Sequence, residues 1–219
     1  MKSKSEITPY ASWTGTKKNL DGLQLHGWRL LTGPHIMVKN AWDLPRWTDG
    51  TVAPFMLDNG AWTAFQRGEK FDCVAFEKAV RIAGKIADNI VIPDIVEGGK
   101  DSLLFSITWM KFLEQYPVLI AVQDGIHPDE VYEYLNKRVG IFVGGSTEWK
   151  LDTASQWGRL AKQIGCHLHI ARVNTAKRIR LCKFVGADSF DGSGISKFYA
   201  KKMPSLDAPL RQQTIWGRA

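Results

Sequence analysis

Short apolar segments alternate with longer amphipathic segments from residue 54 to residue 202, and this alternation constrains the fold more than any other feature of the sequence. The apolar segments predict buried strands at 54–57, 89–93, 118–122, 139–143, 167–173 and 188–190. Hydrophobic residues at helical intervals predict helices at 72–87, 102–115, 153–164, 176–184 and 195–202, with one more beginning at Pro128. Repeated strand–helix units are typical of parallel strands joined by crossover helices.

Two α/β architectures satisfy this pattern: an open, doubly wound sheet and a closed (β/α) TIM-like barrel. The nucleotide-binding form of the open sheet carries Gly-x-Gly-x-x-Gly after its first strand, and no such motif follows residues 54–57. We therefore predict the barrel, with one or two further strands between Gly27 and Val38. Residues 1–50 are rich in Trp, Gly, Pro, Lys and Thr, which predicts an irregular N-terminal segment.

The length and composition bound the other properties. A chain of 219 residues without internal repeats or a low-complexity linker predicts one domain, 1–219. No segment approaches the roughly 18 consecutive apolar residues of a membrane span, and residues 1–25 lack a signal-peptide pattern, so we expect a cytoplasmic protein without a membrane partner. The cysteines, Cys73, Cys166 and Cys182, lack zinc-site spacing, and a net charge of +7 favours a polyanionic partner.

Polar residues follow the predicted strands at the end where a parallel barrel carries its active site. The segments are Asp58-Asn59-Gly60, Asp94, Gln123-Asp124-Gly125, Gly144-Gly145-Ser146, Arg172-Val173-Asn174 and Asp191-Gly192. Each aspartate taken alone is equally well explained as the N-cap of the next helix. Several such residues converging on one barrel mouth favour a catalytic site.

Several of these segments, in this order, resemble motifs of the queuine/archaeosine tRNA-guanine transglycosylase superfamily, which includes viral and bacterial relatives that insert 7-deazaguanines into DNA. The similar segments are Leu57-Asp58-Asn59-Gly60-Ala61-Trp62, Pro93-Asp94, Val122-Gln123-Asp124-Gly125, Val143-Gly144-Gly145 and Gly186-Ala187-Asp188-Ser189-Phe190-Asp191. The resemblance implies a TIM-like barrel in which Asp191 is the nucleophile. It also implies that Asp94 and Gln123 recognise the base, together with the backbone at Gly144 and Gly145.

Carboxylates suit this chemistry for reasons that do not depend on the resemblance. Base exchange breaks an N-glycosidic bond through an oxocarbenium-like transition state, and a carboxylate can capture the sugar carbon covalently. A second carboxylate can act as general acid and base, and we assign this role to Asp58. Trp62 is predicted to stack on the extruded base, although an aromatic residue at this position is also compatible with core packing.

The departures from the family favour DNA over tRNA as the polymer. The tRNA enzymes carry a C-terminal Cys/His zinc site, and no Cys or His follows Asp191 here. We therefore expect a phage-type DNA-guanine transglycosylase that inserts a 7-deazaguanine such as 7-cyano-7-deazaguanine, with no cofactor and no metal. The alternatives are a tRNA-guanine transglycosylase relative, a nucleoside or glycoside hydrolase using the same carboxylates, and a non-catalytic nucleic-acid-binding barrel.

Two further groups of residues have competing interpretations. His167 and His169 share one strand face, which suits a metal pair, but without a third ligand packing is the preferred interpretation. The last third of the chain is basic, which predicts either phosphate contacts or a merely solvated surface. Its residues are Lys177, Arg178, Arg180, Lys183, Lys197, Lys201 and Lys202.

Overall fold

The computed structural model describes residues 7–14 and 16–212, and within them eight parallel strands form a closed barrel. The strands are β1 (Thr8–Ser12), β2 (Arg29–Thr32), β3 (Phe55–Leu57), β4 (Ile90–Val91), β5 (Val118–Val122), β6 (Val139–Val143), β7 (Leu168–Ile170) and β8 (Ser189–Gly192). Each strand pairs with its neighbours in chain order, and β8 pairs with β1. The predicted (β/α) TIM-like barrel is confirmed.

Helices connect the strands and cover the outside of the barrel. They are α1 (Leu20–Leu25), α2 (Pro34–Lys39), α3 (Ala61–Gln66), α4 (Cys73–Ala83), α5 (Gly99–Trp109), α6 (Pro128–Val131), α7 (Thr147–Ile164), α8 (Ala176–Val185), α9 (Ser193–Lys197) and α10 (Tyr199–Arg211). A short 3₁₀ helix, Tyr132–Tyr134, follows α6. None of the helices in the described residues is both long enough and apolar enough to cross a lipid bilayer.

The barrel interior is filled by side chains, because alternate residues of each strand point inward. Tyr10, Met56, Val91 and Leu119 form a buried cluster there, contributed by β1, β3, β4 and β5. The opposite faces of the strands pack under the helices in a second, larger core. The barrel is therefore packed on both faces of its strands rather than hollow.

The N-terminal segment is more regular than its composition predicts. Residues 1–50 contain β1, α1, β2 and α2, and β1 closes the barrel between β2 and β8. The segment that forms β1, Thr8–Ser12, has neither an apolar run nor clear alternation, so its strand conformation depends on pairing with both neighbours. Strand β2 lies within the range Gly27–Val38 where a strand was expected.

Several predicted boundaries move, and the backbone explains two of the shifts. Strand β7 ends at Ile170 rather than at residue 173, because Arg172 takes a left-handed conformation with φ 58°. Helix α7 begins at Thr147 rather than at residue 153. The Ser146 hydroxyl caps this earlier start by accepting a hydrogen bond from the Trp149 backbone N–H at 3.3 Å.

The predicted helix at 195–202 is two helices. Phe198, with φ −129° and ψ 46°, lies outside the helical region and separates α9 from α10. Helix α10 then continues to Arg211 through Pro204 and Pro209, residues that argue against a helix in the sequence. The helix predicted at 102–115 corresponds to α5, which begins earlier, at Gly99, and ends earlier, at Trp109.

Candidate active site

Three carboxylates lie together at the C-terminal end of the barrel. Asp58 directly follows β3, Asp94 follows β4 after a short extension, and Asp191 is the third residue of β8. Burial raises the pKa of Asp58 most, and the negative charges of Asp191 and Asp94 add to the effect, so that this pKa reaches about 7. A carboxyl group that titrates near neutral pH can both donate and accept a proton.

Asn59 fixes the geometry between two of these carboxylates. Its side-chain amide nitrogen donates to the Ile92 carbonyl and to Asp94 Oδ1, each at 2.8 Å. Its oxygen accepts the Ala61 backbone N–H, also at 2.8 Å, which holds the turn that leads into α3. The pKa of Asp94 is raised by burial even though the hydrogen bond from Asn59 opposes the shift. Asn59 is thus a positioning residue, a role to which the sequence analysis did not assign it.

Asp191 is held by groups from the end of β7. Its Oδ1 lies 3.0 Å from His169 Nε2 and accepts the Arg172 backbone N–H at 3.2 Å. The Asp191 residue is 5% exposed, and His169 is fully buried. The His169 ring also stacks on Phe142, with ring centroids 4.8 Å apart and planes within 7°. The orientation of the Asp191 carboxylate is therefore fixed by a buried histidine whose own ring plane is fixed.

A hydrogen-bonded chain continues from His169 into the barrel. His169 Nδ1 lies 2.8 Å from Ser189 Oγ, which lies 2.7 Å from His167 Nε2. Burial lowers the pKa of His167 to about 4, so this ring is neutral at pH 7. In one arrangement that satisfies all three bonds, His169 donates from Nε2 to Asp191 and accepts the Ser189 hydroxyl proton at Nδ1. The two histidines thus share a hydroxyl, and Ser189, fully buried, is inaccessible as a nucleophile.

The described residues contain no group of three or more His, Cys, Asp and Glu side chains arranged to hold a metal ion. His167 and His169, the pair considered for a metal, both bond Ser189 instead.

Gln123 lies at the mouth with its side chain already engaged. The residue is buried, and its amide nitrogen donates to the Ile95 carbonyl at 2.8 Å, which ties the end of β5 to the loop before α5. The neighbouring Asp124 accepts the backbone N–H and the hydroxyl of Ser146, at 2.6 and 2.7 Å. Asp124 thus holds the turn after β6.

The Gly144-Gly145 turn presents its carbonyl groups to an arginine. Arg172 Nη2 donates to the Gly144 carbonyl at 3.3 Å and also to the Gly145 carbonyl. A side chain is sterically excluded at Gly145, because its φ is +38° and a Cβ would lie 2.5 Å from the Trp149 ring. The carbonyls of this turn therefore accept hydrogen bonds from a flat donor group.

Trp62 lies on the surface beside this turn. It is 41% exposed, which excludes plain core packing, and it stacks with Phe65 at a centroid distance of 5.9 Å. The Arg172 guanidinium carbon lies 4.8 Å from the centroid of the Trp62 ring. Two of the predicted base-binding elements, the aromatic platform and the Gly-Gly turn, are therefore joined by one arginine.

Lys150 supports the loop that follows β7. Lys150 is buried, and its Nζ donates to the Ala171 carbonyl at 2.7 Å. Burial and the nearby positive charge of Arg172 lower its pKa to about 8, against the attraction of Asp191. A lysine on the buried face of α7 interrupts the apolar periodicity, and that irregularity is the sequence signal that marks it.

The seven basic residues noted in the last third differ in exposure, and three of them, Arg178, Lys183 and Lys202, are half-buried. Lys183 donates to the carbonyls of Leu210 and Gln212, so it joins α8 to the end of α10 and is unsuited to the phosphate contact considered for it. The side chains of four others are exposed: Lys177, Arg180, Lys197 and Lys201. These four remain available to a polyanion.

A cavity of about 280 Å³ opens beside the Asp58 turn, between α2, α3 and the start of α4. Its lining includes Asn59, Gly60 and the cationic side chains of Lys39, Arg67 and Lys70. None of the three mouth carboxylates lines it.

Comparison of the chain with protein-family models and with curated proteins finds no match. The functional argument accordingly rests on the site itself.

Proposed function

We propose that this protein is a transglycosylase that exchanges guanine in DNA for a 7-deazaguanine base through a covalent glycosyl–Asp191 intermediate. The observation that carries the proposal is the pair formed by Asp58 and Asp191. One carboxyl group titrates near pH 7, and the other is oriented at the same barrel mouth by His169 and a backbone N–H. Two carboxyl groups in different environments are what a retaining displacement at a sugar carbon requires.

The first half-reaction removes guanine. The ionised Asp191 attacks C1′ of the deoxyribose as the C1′–N9 bond breaks, which leaves the sugar bonded to a carboxylate oxygen. Asp58, with its pKa near 7, enters as the neutral acid and gives its proton to the departing base. Guanine then leaves as a neutral molecule, and Asp58 is left ionised.

The second half-reaction reverses these roles. The incoming 7-deazaguanine gives its N9 proton to the Asp58 carboxylate and attacks C1′. The bond between C1′ and Asp191 breaks, which returns Asp191 to its ionised form. Each turnover leaves both carboxyl groups as they began, so no cofactor is needed to balance it.

Base recognition is assigned to the remaining mouth residues. Asp94 is a buried acceptor for purine N–H groups, and Asn59 holds it in place. Gln123 is fixed by its bond to the Ile95 carbonyl, which pre-organises its side chain. The carbonyls of Gly144 and Gly145 and the exposed face of Trp62 complete the subsite. An aromatic face next to fixed polar groups is the usual environment of an extruded base.

The test is mass spectrometry of nucleosides released from DNA and from tRNA after incubation with the protein and 7-cyano-7-deazaguanine. We expect a modified deoxynucleoside from DNA, and loss of that product in Asp191→Asn. Asp152→Asn is the matched control, because Asp152 lies on the exposed side of α7 and outside the site.

The other outcomes distinguish the alternatives. A modified ribonucleoside from tRNA alone would replace DNA by tRNA while retaining the chemistry. Abasic DNA as the main product would indicate a hydrolase that uses the same carboxylates. Binding of DNA with neither product would favour a non-catalytic barrel.

A further inference from the structure

Arg172 lies across the barrel mouth in a conformation that the backbone does not favour. Its φ is 58°, which is uncommon for a residue with a side chain, and it follows β7 directly beside Asp191. Backbone conformations of this kind persist where surrounding contacts hold them, and they concentrate at functional sites. Here the backbone is held by its N–H bond to Asp191 and by Arg178 Nη1, which donates to the Arg172 carbonyl at 3.4 Å. The guanidinium separately bonds the carbonyls of Gly144 and Gly145 and lies over Trp62.

The guanidinium is chemically similar to part of guanine. Both contain a planar carbon bonded to three nitrogens, both donate N–H groups within their plane, and both stack on aromatic faces. Arg172 therefore uses a stacking platform and carbonyl acceptors that a guanine ring can also use. A base and the guanidinium cannot occupy that face of Trp62 at the same time.

We propose that Arg172 is an internal, displaceable occupant of the base subsite, so that a purine enters only by replacing the guanidinium on Trp62 and at the Gly144-Gly145 turn. This inference rests on the proposed function only in identifying the competing ligand as guanine or a 7-deazaguanine. The occupancy by Arg172 itself follows from the contacts. Its release leaves the backbone N–H of Arg172 able to stay on Asp191, because displacement involves the side chain alone.

Competition of this kind has a measurable consequence. When a binding-competent state is only a fraction of the free protein, the apparent dissociation constant rises by the inverse of that fraction. Removal of the guanidinium should therefore tighten binding of free guanine, by about tenfold if the open state is about one tenth of the population. A residue that binds the base directly would have the opposite effect when truncated.

The experiment is calorimetric titration of the full chain with guanine and, separately, with methylguanidinium. The variants are Arg172→Ala, Arg172→Gly, which suits the left-handed backbone, and Arg159→Ala as the charge-matched control on the exposed face of α7. We expect both Arg172 variants to bind guanine about tenfold more tightly than the unaltered protein. We also expect methylguanidinium to bind them and to compete with guanine, and Arg159→Ala to behave as the unaltered protein.

The contrary outcomes are distinct. Weaker guanine binding in the Arg172 variants would make Arg172 a base ligand and overturn the proposal, while leaving transglycosylation intact. Guanine binding unaffected by methylguanidinium would place the guanidinium outside the base subsite. That outcome would also overturn the proposal while leaving transglycosylation intact. If methylguanidinium binds the Arg172 variants but guanine binds no form of the protein, the occupancy by Arg172 is upheld. The identification of its competitor and the proposed function are then both refuted.

Discussion

The two ends of the barrel hold their carboxylates in opposite ways. At the N-terminal end, Asp88 accepts hydrogen bonds from Arg29 Nη1 at 2.7 Å and from the Tyr10 hydroxyl at 2.8 Å. At the C-terminal end, Asp58, Asp94 and Asp191 gather without an arginine or lysine side chain within ion-pair distance of any of them, as far as the described residues extend. One carboxylate at the N-terminal end is thus ion-paired with an arginine, while the three at the mouth are held by hydrogen bonds or by burial without such a pair.

The contrast indicates where the fold gives up stability in a way that suits catalysis. At the mouth, burial and the nearby charges of Asp191 and Asp94 raise the pKa of Asp58, and burial raises the pKa of Asp94. Strongly perturbed titratable groups concentrate at functional sites. The comparison therefore supports assigning the mouth to catalysis and the opposite end to structure.

The largest effect is expected from a substitution at the C-terminal end of the barrel, compared with the equivalent substitution at the N-terminal end. We expect Asp191→Asn to lower base exchange by about 10³-fold or more, because an amide cannot capture the sugar carbon, with little change in unfolding. Asp88→Asn should instead keep activity and lower the free energy of unfolding by about 1 kcal/mol or less, because the Arg29–Asp88 pair is partly exposed and solvent screens it. The readouts are adduct formation by mass spectrometry and urea denaturation. An active Asp191→Asn variant would break the comparison at once.

Asp58 sharpens the comparison through pH. Its folded-state pKa, about 7, is above the ordinary value near 4, so its favourable contribution is complete below about pH 4 and is lost as pH rises through 7. Asp58→Asn, which stays neutral, should therefore exceed the unaltered protein in unfolding free energy by about 1–3 kcal/mol at pH 8, and converge with it near pH 4. Urea unfolding at several pH values measures this. Parallel curves for Asp58→Asn and the unaltered protein would contradict the raised pKa of Asp58.

The strands that pack on both faces were the predictable part of the fold. Strand β5, Val118–Val122, is apolar at every position, and β6 is nearly so, as expected of parallel strands buried on both sides. Strand β1 carries no such pattern. Its conformation comes from pairing with β8, a partner almost at the other end of the chain, and local sequence does not encode that contact.

The candidate site shows the same division. The sequence placed Asp58, Asp94 and Asp191 at strand ends, and the structure brings them to one mouth. The sequence did not assign these functions to His169 or Arg172, because their contacts cross between strands. His169 contacts Asp191, 22 residues away, and Arg172 contacts Gly145, 27 residues away. A residue type at a strand end can be read locally, but its hydrogen-bond partner depends on barrel closure.

A smaller effect is expected from the histidine that orients Asp191. His169→Gln keeps an N–H donor near the Nε2 position and should retain exchange within about tenfold, whereas His169→Leu removes it and should lower kcat by roughly 10²-fold. The difference between the two variants separates positioning from packing, because only His169→Gln keeps a donor to Asp191. An equal loss of kcat in both variants, with KM unchanged or not, would reduce His169 to a packing residue.

The smallest effect concerns the exposed surface rather than either end. If Lys201 on α10 contacts a backbone phosphate, its replacement together with Lys202 should flatten the log–log dependence of DNA affinity on salt by about one to two units, because each phosphate neutralised contributes about 0.9 on a duplex. Lys183→Met is the internal contrast: its ammonium bonds the carbonyls of Leu210 and Gln212, so its loss should lower stability and leave the salt slope unchanged. Affinity measured by fluorescence anisotropy between 50 and 200 mM salt decides between them. A slope that responds to Lys183 but not to the Lys201–Lys202 pair would move the polymer-binding surface away from α10, while the carboxylates at the mouth would keep their assigned roles.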